Sequence, residues 1–330
     1  MCAPDENAQG SGSRLNLALI GLGNQGQEHL RALGATELPL RLLAVVDPQG
    51  VPEGVRLPDT CAVYSSVDEL PNEVAAVIVA TPPVTYRGLV PDLLQSGNHI
   101  LLEKPVGINL TESLDFIDLA LKNRRVLMPA VQRRFHPAYQ ALAEWRDRLG
   151  QPIEASVSVK IRHEGAGWRA DTKRAGGGAL FDLGFHAIDL VQQLFGDVRL
   201  VSACFFDEFD RPLHAGLDVK ADLLLETETF QPIRVLIERG APEKLELVQV
   251  RGSSGTLTIG RGSLNFADHW GQQTEQKFET DWAIAMEQQL AAFLANIRLC
   301  EASSEHGWDA LWNGAAAMRI MGEAYAHGML

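Results

Sequence analysis

Few cysteines, no long apolar run and a shortage of positive charge each close off a class of protein. Four cysteines occur in 330 residues, Cys2, Cys61, Cys204 and Cys300, and no two form a CxxC pair. That scatter excludes a disulfide framework or a zinc ribbon and suits a reducing compartment. No apolar run reaches the roughly 18 residues of a membrane-spanning helix. The first residues carry Asp5 and Glu6 and lack the apolar core of a secretory signal. Lys and Arg number 29 against 42 Asp and Glu, giving a net charge of −13. An acidic surface disfavours nucleic acid and anionic membranes as partners, yet leaves room for a small anion in a locally basic pocket. The expectation is a cytoplasmic, soluble protein that works on a small molecule.

What is present is ordinary for a globular protein, with 46% hydrophobic and 22% charged residues. The length suits two domains better than one core. Residues 1–13 read as a disordered tail. Leu15–Ile20 is a short apolar run leading into Gly21-Leu22-Gly23-Asn24-Gln25-Gly26, after which residues 27–33 continue as a helix. In this G-x-G-x-x-G spacing the first glycine makes a tight turn and the second admits a pyrophosphate. The third lets helix and strand pack closely, and the phosphates rest on the helix N-terminus. A second apolar run, Leu40–Val46, ends in Asp47, where such folds place the acid that binds the adenosine ribose. A carboxylate there repels a 2′-phosphate, and Pro48-Gln49-Gly50 adds no cation. NAD is therefore favoured over NADP, which stays open, as does an FAD site with the same fingerprint.

Strand and helix patterns then alternate. Residues 75–80 form a buried strand ending at Thr81-Pro82, with a helix over 84–95. Residues 99–102 form another, ending in Glu103-Lys104-Pro105, with a helix over 111–123 started by Thr111 and Glu112, and a strand at 126–128. This alternation implies a doubly wound parallel sheet, an α/β Rossmann domain over 14–130. Ligands bind at the carboxyl ends of such strands, where Thr81, Pro82, Glu103 and Lys104 fall. A helix over 137–149 ends at Gly150, and period-two runs follow at 155–161, 200–206, 219–226, 233–238, 245–250 and 256–259. These imply an α+β domain over 131–330 with a largely antiparallel open sheet. Helices over 282–299 and 308–326 close the chain and can pack back on the first domain.

The helix over 178–195 is entered through Gly176-Gly177-Gly178. Leu180, Leu183, Ala187, Val191 and Leu194 form its apolar stripe, while Asp182, His186 and Asp189 lie along another line. A carboxylate and an imidazole on one rigid face make an acid/base pair, or simply a solvated polar face. No third ligand has the spacing to make them a metal site, and HExxH is absent. Lys160, Arg162 and His163 on the first strand of the second domain fit either a solvated face or a pocket.

Four stretches in order resemble the glucose–fructose oxidoreductase/inositol dehydrogenase (Gfo/Idh/MocA) family. They are the glycine run, Glu103-Lys104-Pro105, Arg133-Arg134-Phe135-His136-Pro137, and Trp168-Arg169 through Asp189, which contains D-x-G-x-H-x-x-D from Asp182. The resemblance implies a nicotinamide cofactor and a catalytic set of Lys104, Asp182 and His186. It also implies a cis bond before Pro105 and cofactor contacts from Trp168 and Arg169. Gln132 stands where the family often has Asn, at the nicotinamide end. The activity implied is hydride transfer between nicotinamide and a secondary alcohol or carbonyl of a sugar or polyol. Alternatives are a reductase of a non-sugar carbonyl, imine or tetrapyrrole, an NAD-using glycosidase, and a non-catalytic NAD-binding module. Relatives bury the leftover sheet face against a second copy, so a homodimer or homotetramer is expected. Asp189 reads as support for the helix or the histidine rather than as a substrate contact.

Overall fold

A computed structural model describes residues 14–162, 170–171, 175–260, 262–302 and 309–328. The expected tail at 1–13, and His163, Trp168 and Arg169, lie outside the described residues. Six parallel strands make the first sheet: β1 (Leu15–Ile20), β2 (Leu40–Val46), β3 (Ala62–Tyr64), β4 (Ala76–Val79), β5 (His99–Glu103) and β6 (Leu127–Ala130), ordered β3-β2-β1-β4-β5-β6. Every residue of β4, β5 and β6 is buried, which is why these strands read as continuous apolar runs rather than alternating ones. From β1 the chain winds outward to β3, then crosses back to β4. The direction reverses between β1 and β4, and the crevice at their carboxyl ends is the site such sheets offer to a ligand.

Side chains alternate between the two faces of this sheet. Leu17, Leu19, Ile78 and Leu101 pack on one face with Leu30 and Leu33 of α1 (Asn24–Ala35). Ile20, Val77, Val79, Ile100 and Leu102 pack on the other with α2 (Tyr86–Gln95) and α3 (Leu110–Asn123). The layer beside α1 is completed by α6 (Ala283–Ala302), whose Leu290, Phe293 and Ile297 are almost wholly buried in it. The last helix, α7 (Asp309–Gly328), packs on α3 and β6. Both closing helices thus return to the first domain.

After α4 (Pro137–Leu149) comes an eight-stranded sheet: β7 (Pro152–Lys160), β8 (Val198–Phe206), β9 (Lys220–Thr227), β10 (Pro232–Glu238), β11 (Leu245–Gly252), β12 (Gly255–Ile259), β13 (Ser263–Asp268) and β14 (Gln273–Lys277). Their order is β14-β13-β12-β11-β7-β10-β9-β8, and all neighbours are antiparallel except β7 and β10. The fold class expected from the sequence is the one observed. Three strands escape sequence patterning: β3 has three residues, and the β13–β14 hairpin ends in the polar run Gln-Thr-Glu-Gln-Lys. The start of α3 also differs. Asn109, not Thr111, is its cap, accepting from the Glu112 amide at 2.9 Å. Among the described residues no helix is long and apolar enough to cross a membrane.

If α6 belongs to the core of the first domain, Phe293→Ala should cost about 3–5 kcal/mol, as expected for emptying a packed aromatic site. Urea unfolding measures it, and a loss under about 1 kcal/mol would show that α6 is only loosely docked.

Candidate active site

The glycine run forms the turn between β1 and α1. Gly21 has φ +93°, and a Cβ at Gly26 would lie 1.9 Å from the Gly21 carbonyl oxygen, so neither position tolerates a side chain. A Cβ at Gly23, in contrast, would meet no atom within 4 Å. That glycine leaves open space rather than filling a packing need. No side chain caps α1 and no acid sits in its first turn. The amides and dipole at this helix start are therefore free to hold a phosphate. Asn24 and Gln25 lie in that turn. Asp47, at the end of β2, accepts from the Leu22 amide at 2.8 Å and the Gln49 amide at 2.9 Å, which fixes a carboxylate beside the glycine turn. Thr81 borders Gly21 and its hydroxyl meets that of Thr85 at 2.7 Å; Pro82 precedes the turn that starts α2. These residues fit the diphosphate and adenosine half of a dinucleotide.

The end of β5 carries two charged residues with separate tasks. Glu103 faces α1, where His29 Nε2 lies 2.8 Å from its carboxylate and Gln25 donates at 3.5 Å. Lys104 follows, with a cis bond to Pro105, and turns to the second domain. Its Nζ donates to the Asp182 carbonyl oxygen at 2.6 Å and lies 3.6 Å from Asp182 Oδ1. Gln132 opens the short turn after β6, and its Oε1 is buried without a hydrogen-bond partner.

The glycine-entered helix differs from the sequence reading in two ways. It begins as a π-turn over Leu180–Gly184 and becomes regular only in α5 (Phe185–Phe195). Its polar line is also not the solvated face that the sequence pattern allows: Asp182, His186 and Asp189 are 9%, 4% and 0% exposed. Sheet strands β7 and β10 press on one side and α7 on another, so the polar line is a buried one. Buried charges need partners, and each has them. Asp189 takes a bidentate contact from Arg134, with Nε at 2.9 and 3.0 Å from the two oxygens, which ties α5 to the turn after β6. Asp182 Oδ2 lies 3.4 Å from Arg239 Nη2. Arg133 is paired with Glu246, which also accepts from the Tyr139 hydroxyl at 2.6 Å. His186 Nδ1 is buried without a hydrogen-bond partner. Burial, then the positive charges of Arg133 and Lys104, push its pKa well below the ordinary 6.5, so the imidazole is neutral.

The structure therefore brings Lys104, Asp182 and His186 together, and groups Gly21, Gly23, Asn24, Gln25, Gly26, Asp47 and Thr81 around the glycine turn. Lys160 pairs with Glu238 across the strands at 2.7 Å. Arg239 escaped sequence reading; its one signal was a cation directly after β10. Among the described residues no group of three His, Cys, Asp or Glu side chains could hold a metal ion.

A doubly wound sheet with a glycine-rich first turn, joined to an open-sheet domain that delivers a Lys–Asp contact to its strand ends, defines a two-domain dinucleotide-binding architecture. Comparison with known families agrees. Residues 15–131 match the NAD-binding Rossmann-fold domain of the Gfo/Idh/MocA oxidoreductase family, and residues 139–258 match that family's C-terminal domain. The chain belongs to this family. An uncharacterized oxidoreductase of Synechocystis is 30% identical over 202 residues, covering 57% of this chain and 53% of that one. The chain spans about half the length of that relative. An inositol 2-dehydrogenase of Burkholderia multivorans is 24% identical over 322 residues, 92% of both chains. Among solved structures, a 3-ketoreductase of Actinomadura kijaniata in complex with NADP and TDP-benzene has TM-score 0.80 at 19% identity, covering 95% of this chain and 98% of that one.

The buried imidazole has a measurable consequence. In the unfolded chain it takes a proton near 6.5, while in the fold it resists protonation to lower pH. Stability present above pH 6.5 is therefore lost as pH falls toward the folded pKa. Thermal unfolding across a pH series should show a shallower acid decline for His186→Gln than for the native chain. Parallel declines would mean the imidazole protonates freely in the fold.

Proposed function

We propose that the protein is an NAD-dependent dehydrogenase or reductase acting on a secondary alcohol, or its ketone, in a sugar, polyol or sugar derivative. The observation that carries the reading is the Lys104–Asp182 contact at the strand ends, beside a histidine kept neutral. When bound, the nicotinamide supplies the hydride acceptor or donor. Gly21, Gly23, Asn24, Gln25 and Gly26 would hold its pyrophosphate, and Asp47 the adenosine ribose, favouring NAD over NADP. Thr81 and Pro82 would border the diphosphate, and Lys104 and Gln132 the nicotinamide half, with Glu103 bracing α1; Trp168 and Arg169 are proposed as further cofactor contacts on the family resemblance. The cofactor-binding unit is taken as residues 14–130 and the substrate unit as 131–330.

In oxidation the substrate hydroxyl proton must leave as the C–H bond breaks. Neutral His186 is the base that can take it. The Lys104 ammonium hydrogen-bonds the same oxygen and stabilises negative charge as it develops. Asp182 holds Lys104 in place and accepts from neighbouring hydroxyls of the substrate. In the reverse direction the same imidazole, once protonated, returns the proton.

The outward face of the second sheet carries Leu224, Leu236 and Leu247 among the ion pairs Arg234–Asp222 and Arg251–Glu154. A second copy packed on this face accounts for the leucines. Light scattering at micromolar concentration should give at least a dimer mass, and a monomer mass removes that role.

NAD⁺ and NADP⁺ reduction followed at 340 nm across polyols, aldoses and sugar acids identifies the substrate. With it, Lys104→Ala and His186→Ala should each lower kcat by at least about 100-fold, with NAD⁺ binding by calorimetry unchanged. Full turnover in either variant removes that residue from the chemistry.

A further inference from the structure

A helix start leaves backbone amides without partners, usually met by one side chain just before the helix. The helix carrying Asp182 and His186 is held differently. Asp218, two residues before β9, accepts from the Gly178 amide at 3.0 Å through Oδ1 and from the Leu180 amide at 2.8 Å through Oδ2. Tyr325 of α7 accepts from the Gly178 and Phe181 amides, each at 3.1 Å, and donates to Asp218 Oδ1 at 2.9 Å. From the end of β10, Arg239 Nη2 donates to the Gly178 carbonyl oxygen at 2.7 Å and lies 3.4 Å from Asp182 Oδ2.

We propose that Asp218, Tyr325 and Arg239 are positioning residues: they clamp the first turn of this helix and thereby set Asp182 against Lys104. The inference rests on the roles given above to Lys104, Asp182 and His186. Three observations support it. First, the clamp explains the glycines. A Cβ at Gly178 would lie 2.2–2.3 Å from Asp218 atoms, and one at Gly177 would lie 2.6 Å from the Tyr325 oxygen. The clamping groups occupy the space any side chain would need. Second, one nitrogen of Arg239 touches both the turn and the Asp182 carboxylate, so a shift of the turn shifts the carboxylate. Third, the helix opens as a π-turn over Leu180–Gly184, a geometry that needs outside support and recurs at functional sites. Burying Asp218, at 1% exposure, is costly unless its oxygens are fully used. Burial raises its pKa, and the Leu180 amide, the Tyr325 hydroxyl and Arg239 oppose the rise.

Tyr325→Phe keeps the ring stacked on Phe205, now 5.0 Å centroid to centroid, and removes only the hydroxyl. Asp218→Asn keeps the shape and removes the charge. In the full chain, amide exchange over 178–181 should quicken about tenfold in Tyr325→Phe, the loss of about one net hydrogen bond. NAD⁺ affinity should hold, while kcat with the best polyol of the panel falls about tenfold at unchanged KM for NAD⁺. The His186 imidazole, followed by NMR titration without substrate, should move toward its ordinary value as water reaches the loosened turn. Asp218→Asn should do the same or more. Faster exchange with kcat and the His186 titration unchanged would reduce the clamp to a stabilising contact, and unchanged exchange would refute it outright. Full turnover in His186→Ala would instead overturn the histidine's role, leaving exchange and titration to judge the clamp.

Discussion

A carboxylate that is 9% exposed stays charged only beside cations, and among the described residues Lys104 from the first domain and Arg239 from the second flank Asp182. The surrounding site is arranged by that requirement. Removing one partner from a buried pair typically costs about 3–5 kcal/mol, because the other is left uncompensated. Hence the neighbouring charges are matched as well: Arg134 with Asp189, and Arg133 with Glu246, which also accepts from the Tyr139 hydroxyl. Burial and the charges of Arg133 and Lys104 keep His186 a neutral acceptor, where a surface histidine would titrate near physiological pH. The ion pairs contribute less to stability than to alignment, since a hydrophobic replacement would often be as stable.

Strand ends supply much of the site. In the first sheet the reversal between β1 and β4 opens the crevice, and Asp47, Thr81 and Lys104 follow β2, β4 and β5 at its rim. In the second, Asp218 and Arg239 flank β9 and β10 at the corresponding edge. Strands are stiff and their ends are fixed by the ladder, so side chains placed there hold their geometry better than side chains on long loops.

Much of this was readable from residue order. The glycine spacing, the run ending in Asp47 and the strand ending in Glu103-Lys104 each lie where a local rule puts them, because the information is contained within a few residues. The polar line of Asp182, His186 and Asp189 was visible too, but its environment was not. Periodicity reports which residues share a face, and a face buried against paired cations has the same pattern as one in water. Arg239, Asp218 and Tyr325 were invisible for a related reason. Each meets the start of the helix carrying Asp182 from 38 or more residues away, and no spacing rule links them. The β13–β14 hairpin was missed because an edge ribbon has little apolar face to alternate.

The placement of α6 bears on how the chain folds. The glycine turn, the strands and α1 are complete within the first 130 residues, yet one face of their sheet is sealed by side chains near residue 290. At ordinary synthesis rates this leaves that face uncovered for on the order of ten seconds while the second domain emerges. A nascent first domain is thus an unfinished sandwich, and its closure is coupled to completion of the second domain. The dinucleotide crevice would gain its full rigidity only once α6 has been made.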